Sequence, residues 1–295
     1  MLKLTLLGTG TPTPSLRRAC SGYLIRCGAD VILFDHGFGA YARMLELGIA
    51  PAQVTHLFLS HLHYDHMGDV ARLVLTRWDQ GGGRIGELDV FGPPPTAAVF
   101  AALFGKDGAF GPDLTARTRN RSSLDVYRAR GGTGERRWPA PKLREVDPGA
   151  EILGDGWKVT VARAHHCGPE LDCRAYRIDA AGRSIVYSGD SGPSEAVCAL
   201  AQDADVLIHM CHYMSGSAPS EEFAASNSGH LEVARLAQKA RVRTLVLTHI
   251  TEQLDRPGVR ERVVREVGDG FGGTVVFGED LVDVPFEAPQ FPAPT

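Results

Sequence analysis

The stretch Ser60–Asp69, SHLHYDHMGD, constrains this chain more than any other. It follows the apolar run Leu57-Phe58-Leu59, which reads as the end of a buried strand running into a loop. The loop places His61, His63, Asp65 and His66 within six positions. Imidazole nitrogens and carboxylate oxygens are the usual ligands of a borderline divalent ion such as zinc. In an extended segment alternate side chains point the same way, so His61 and His63 can reach one metal together. The turn around Asp65 aims Asp65 and His66 at a second position nearby. A lone histidine is more often a satisfied core or surface residue. Three histidines and an aspartate crowded behind a strand are hard to explain as packing, because such groups need partners once they leave water.

The 295 residues, 43% of them hydrophobic, suffice for a large core, and we expect one domain over 1–295. A net charge of −4 advertises neither nucleic acid nor an anionic membrane. The six cysteines are scattered and do not form a disulfide framework. The opening MLKLTLLGTG is interrupted by glycine too soon for a signal peptide, and no apolar run approaches a membrane span. The expectation is a soluble cytoplasmic protein, with a homodimer as one assembly to consider.

Alternation predicts strands at Leu2–Leu7, Ser21–Arg26 and Val31–Asp35, and helical spacing predicts helices at Gly39–Leu47, Val70–Trp78 and Thr96–Phe104. A strand at Val159–Ala164 delivers His165-His166. A hairpin, Tyr176–Asp179 and Ser184–Ser188, delivers Asp190. Strands at Asp205–His209 and Thr244–Thr248 end beside histidines, the second at His249, and Thr274–Phe277 and Asp280–Val284 close the chain. Gly229–Ala240 and Arg256–Val267 read as helices, and the tail after Pro285 as frayed. Gly105–Pro148 reads as an irregular insertion. Within Arg117–Arg144, nine cations meet two anions, a local charge of +7. Such a run is either a solvated surface or a lid whose arginines meet an anionic substrate.

HLHYDH resembles the HxHxDH signature of the metallo-β-lactamase superfamily. LGTGTPTP at the N-terminus looks like the opening of its ribonuclease Z and arylsulfatase-like branch. The resemblance implies an α/β fold, the αββα four-layer sandwich, with metals in a cleft at one edge. It also implies the remaining ligands. Within VARAHHCGPELDCRAYRID, His166 fits the third-histidine position better than His165, because Pro169 and Ala175-Tyr176-Arg177 follow it at the arylsulfatase-like spacing. Asp190 in YSGD stands at the bridging carboxylate position and His249 in LTHI at the last ligand position. Two zinc ions are implied, with manganese or iron(II) as alternatives. His61, His63 and His166 would hold one ion, Asp65, His66 and His249 the other, and Asp190 would bridge. Asp35-His36-Gly37 is similar to the family's Asp-Cys-Gly, which places His36 beside the metals without ligating. His209 and His212 are expected near the pocket, and a thiolate from Cys167 or Cys211 stays open.

The implied chemistry is hydrolysis by a metal-bound hydroxide, with Asp65 catalytic alongside its ligand role. His230, opening a helix as His-Leu-Glu, partly matches the ribonuclease Z His-Ser-Thr and is the expected proton donor. Ribonuclease Z carries a long tRNA-binding arm between the third histidine and the bridging aspartate, but His166 and Asp190 are only 24 positions apart. RWDQGGGRIGELDVFGPP looks more like the arylsulfatase-like relatives. The expected partner is therefore a small-molecule ester: an aryl sulfate, a phosphodiester, or a carboxylic ester or lactone. The alternatives are a tRNA 3′-processing endonuclease and a non-catalytic metal-binding protein.

Overall fold

A computed structural model describes residues 2–286. The expected frayed tail, apart from Phe286, lies outside the described residues. Two seven-stranded sheets form the centre. The first holds β1 (Leu2–Gly8), β2 (Gly22–Cys27), β3 (Asp30–His36), β4 (His56–Phe58), β5 (Asp89–Gly92) and β6 (Lys142–Glu145). The second holds β7 (Glu151–Gly154), β8 (Trp157–Arg163), β9 (Arg174–Ala180), β10 (Arg183–Tyr187), β11 (Val206–Met210), β12 (Thr244–Thr248) and β13 (Thr274–Phe277). The last strand, β14 (Asp283–Val284), returns to pair with β1 in the first sheet.

Each sheet begins antiparallel and ends parallel. Hairpins join β1–β2–β3 and β7–β8–β9–β10, whereas β3–β4–β5–β6 and β10–β11–β12–β13 run parallel. Parallel strands are covered on both faces, so they read as unbroken apolar runs. Alternate residues serve different layers. Ile32 and Phe34 of β3 enter the core between the sheets, where Val159, Ile178 and Ile208 meet them. Val31 and Leu33 of the same strand face the outer helices. Fully burying each such side chain is worth about 1.5–3 kcal/mol. The expected αββα sandwich is the fold.

The segment 105–148 is more regular than its composition predicts. It forms the helices Gly111–Arg119 and Arg121–Ala129 and then β6. Asn120 separates the helices and caps the second, its side-chain oxygen accepting from the Ser122 and Ser123 N–H groups at 3.0 and 3.4 Å. The arginine-rich surface hid the short apolar face, Leu114 and Tyr127, that packs these helices down.

The lid reading of this segment fails on position. Three of its eight arginines converge on Asp79. Arg136 donates to Asp79 at 2.6 Å and stacks 4.1 Å above the Trp78 ring, Arg117 approaches at 3.3 Å, and Arg130 also donates. Asp79 lies near the C-terminal end of the helix Val70–Gly81, whose other end abuts the metal loop. Ten residues of helix separate Asp69 from Asp79, about 15 Å along the axis. The arginines fasten the insertion to the far end of the sandwich.

Candidate metal centre

Strands β4, β8, β10 and β12 all deliver their C-terminal ends to one edge of the sandwich. Loops leaving them carry His61 and its neighbours, His166, Asp190 and His249. His249 adopts a left-handed backbone, φ 55°, as the chain leaves β12. That conformation is uncommon for a non-glycine residue.

The seven residues named from the sequence come together in three overlapping groups. His61, His63 and His166 form one; His61, His66 and Asp190 another; Asp65, His66 and His249 the third. Within each group the donor atoms lie within 4.8 Å of one another. Asp190 Oδ2 is the shared centre. It stands 3.2 Å from His249 Nε2, 3.4 Å from His66 Nε2, 3.7 Å from His166 Nε2 and 4.0 Å from His61 Nε2. Asp65 Oδ2 lies 3.2 Å from His249 Nε2 and 3.4 Å from His66 Nε2.

These residues fit a pair of divalent ions. His66 Nε2 is fully buried without a well-directed hydrogen bond, and His61 Nε2 faces His63 Nδ1 at 2.9 Å. Electrostatics favour positive charge there. Burial opposes ionisation of Asp65, but the neighbouring His249 and His66 imidazoles outweigh it and hold its carboxyl far below the usual range. Burial likewise opposes Asp190, and the neighbouring His249 and His66 overcome it. Burial would strip the proton from His66, yet Asp190 and Asp35 raise its basicity well above the ordinary value. Burial, and then His66, pushes His61 well down. Burial, and then His166, lowers His63. A pocket that holds a proton on a buried imidazole between two carboxylates attracts cations.

A second layer of hydrogen bonds aims the rings. Asp35, with φ 54°, accepts from the Ser60 N–H at 2.7 Å, the Ser60 hydroxyl at 2.6 Å, the Tyr187 hydroxyl at 2.6 Å and His66 Nδ1 at 2.7 Å. With Nδ1–H committed to Asp35, His66 turns Nε2 into the cluster. Ser60 Oγ meets His61 Nδ1 at 3.0 Å, and the Ser226 carbonyl accepts from His166 Nδ1 at 2.9 Å. The sequence reading missed Ser60, Tyr187 and Ser226 in these roles. At the C-terminal end of β3 the orienting residue is Asp35, where His36 was expected. His36 is fully buried with both ring nitrogens unbonded, and burial lowers it to about 3, so it packs while Asp35 orients.

Of the two adjacent histidines, His166 points its Nε2 at Asp190, whereas His165 is exposed and engages only through its backbone. His212 stands beside the cluster, its Nδ1 3.0 Å from His249 Nδ1. Burial, and then His249, lowers it to about 4. His209 is buried, its Nδ1 donating to the Met210 carbonyl at 2.8 Å. Cys211 is buried in the outer core, while Cys167 Sγ reaches 3.8 Å from His63 Nε2. His230 stands apart. Its Nδ1 accepts from the Ser215 N–H at 3.0 Å and its Nε2 donates to Glu266 at 2.7 Å. Both nitrogens are used away from the cluster, which leaves no geometric basis for the expected proton donor.

Residues 30–250 match the beta-lactamase superfamily domain. The chain belongs to the beta-lactamase superfamily. It is a metallo-β-lactamase-fold hydrolase. A protein named Ribonuclease Z from Mycobacterium sp. (strain KMS) is 32% identical over 286 residues, covering 95% of each chain. Among solved structures, the metallo-beta-lactamase fold protein YhfI from Bacillus subtilis superposes with a TM-score of 0.71 at 22% identity. That match spans 96% of this chain and 98% of the other. The short form of human tRNase Z gives 0.68 at 20% identity, spanning 97% and 100%. These relatives do not support the small-molecule ester reading, nor specifically the arylsulfatase-like resemblance. Trp78, one basis of that resemblance, stacks on Arg136 at the far end of the molecule. The shortness of the His166–Asp190 segment did not separate this superfamily member from proteins named Ribonuclease Z, because the match to them runs end to end.

Proposed function

We propose that the chain is a ribonuclease Z-like endonuclease that hydrolyses a phosphodiester in RNA, as in tRNA 3′ processing. The observation that carries this is the end-to-end similarity to proteins named Ribonuclease Z together with the convergence of five histidines and two aspartates on one edge. A net charge of −4 does not oppose it, since a polyanion meets local surface and not the sum over the chain. Six free cysteines suit a reducing, cytoplasmic setting.

His61, His63 and His166 would hold one divalent ion, and Asp65, His66 and His249 a second, with Asp190 between them. When bound, such a pair activates water and neutralises charge on the phosphoryl oxygens. The chain's own residues do the rest. Asp35 and Ser60 fix the ligand rings. Asp65, kept ionised, accepts a proton or hydrogen bond from the attacking water. Zinc is the expected ion.

The test is cleavage of a precursor tRNA bearing a 3′ trailer by zinc-loaded protein, beside a bis-aryl phosphate. The expected result is endonucleolytic cleavage at the trailer junction. Its apparent affinity should fall with salt at a slope of about −0.7 per single-strand phosphate contact. Hydrolysis of the bis-aryl phosphate with an untouched precursor would overturn the proposal.

A further inference from the structure

Two large aromatic side chains stand in solvent at the rim of the metal cleft. Tyr64, 58% exposed, lies between the ligands His63 and Asp65. Phe38, 51% exposed, lies on the loop after β3, two residues past His36. Their ring centroids are 6.1 Å apart with planes at 49°. Rings of this size normally go inside, and here none of the described residues covers them.

The backbone holds both rings in place. A side chain on Gly37 would sit 1.9 Å from the Asp65 carbonyl, so the two loops touch main chain to main chain. A side chain on Gly68 would meet the Phe38 ring at 2.7 Å, so the bare glycine is the seat for that ring. The Asp69 N–H donates to the His36 carbonyl at 3.0 Å. Its carboxylate accepts from the Gly39 and Tyr41 N–H groups at 2.8 and 3.1 Å. The loop carrying Phe38 is thus clamped to the loop carrying the ligands. Beyond Phe38 opens a cavity of about 390 Å³, bordered by Pro14, Leu16 and Ala42.

Exposed aromatic faces beside a phosphodiester-cleaving centre match the chemistry of unpaired nucleotides. Every base has a π-face, and stacking on aromatic side chains grips single strands without reading sequence. We infer that Phe38 and Tyr64 form a stacking platform for the base of an unpaired nucleotide flanking the scissile phosphate. This rests on the RNA reading proposed above. Tyr64 is adjacent in sequence to two of the ligands, so a base stacked there belongs to a nucleotide adjoining the reacting phosphate. The platform positions substrate and takes no part in bond breaking.

The experiment uses zinc-loaded protein and a short RNA spanning the cleavage junction. The base flanking the scissile bond is natural, 2-aminopurine or absent. With wild type, 2-aminopurine fluorescence is quenched on binding. Phe38→Ala and Tyr64→Ala are each expected to raise KM about 5- to 100-fold on the base-bearing RNA, with kcat and zinc content held. They should also abolish the quenching and change little on the abasic RNA. Phe38→Tyr and Tyr64→Phe keep a π-face and should restore wild-type behaviour. Equal losses on abasic and base-bearing RNA, or no change in either, would overturn the platform while leaving RNA cleavage standing. Dissociation of a wild-type dimer by the alanine variants would reassign the rings to contact between two copies. A wild-type protein that neither binds nor cuts the RNA removes the platform together with the RNA reading.

Discussion

The metal cleft and the arginine-rich insertion both concentrate ionisable side chains, and they resolve that concentration in opposite ways. In the insertion, the arginines that turn inward meet carboxylates. Asp79 collects Arg117, Arg130 and Arg136, and Arg128 turns to Asp125. In the cleft, carboxylates and imidazoles converge on one another, and His66 Nε2 is left without a well-directed hydrogen bond. A dense run of charge is no sign of a site by itself. Convergence of buried imidazole and carboxylate donor atoms within 4.8 Å of one another is.

His66 belongs to two of the three ligand groups, so its removal should disturb the cleft most. Wild type is expected to bind two divalent ions per chain. His66→Ala should bind fewer and lose detectable phosphodiesterase activity, read by metal analysis and turnover on one preparation. Retention of two ions and full activity would show that the cluster is merely a buried polar network.

Asp35→Ala should cost less. It touches no substrate, but it frees His66 to rotate and strands the Ser60 and Tyr187 donors. A loss of about 10- to 100-fold in metal affinity or activity is expected, measured by zinc titration against a competing chelator.

The insertion should answer in stability and not in catalysis. Asp79→Ala leaves Arg136, whose side chain is 3% exposed, without its counter-charge. Destabilisation of about 3 kcal/mol is expected, with turnover per folded molecule unchanged. Burial opposes ionisation of Asp79, but bonds from Arg136 and Arg130 outweigh it and depress its value in the folded state. Its contribution is therefore present above the unfolded carboxyl value of about 4 and is lost as pH falls through the lower folded value. Denaturant unfolding of wild type and variant should diverge most near pH 7 and draw together as pH falls below the unfolded carboxyl value of about 4. A constant gap across that range would sink this account. The smallest effect is expected for His165→Ala, whose exposed ring makes no contact with the cluster. A large loss of zinc there would put the third ligand at His165.

The outcome along the chain follows the range of the forces involved. His61, His63, Asp65 and His66 were legible because a single loop must carry them. Most strands were legible because Leu, Ile and Val alternate or run together wherever a sheet is covered on one face or both, whereas the edge strands β6 and β7 are mostly exposed and carry no such pattern. Asp190 and His249 could be named only through resemblance, since one aspartate or histidine at a strand end means nothing until the strands are aligned. Parallel packing of β10 and β12 in one sheet, opposite β4 in the other, is what brings Asp190 Oδ2 within 3.2 Å of His249 and 3.4 Å of His66.

What orients the ligands was decided entirely in three dimensions. The Asp35 bond to Tyr187 spans 152 positions. The choice between Asp35 and His36 turned on which side of β3 each faces. Likewise, His230 opens a helix in a register that matches a known motif, but Ser215 and Glu266, distant in sequence, claim its two nitrogens. Local pattern specifies which segments are strands and which side chains can bind a metal. Only the packed sheets determine which of those side chains meet, because hydrogen bonds act over about 3 Å and residues that close can come from anywhere in the chain.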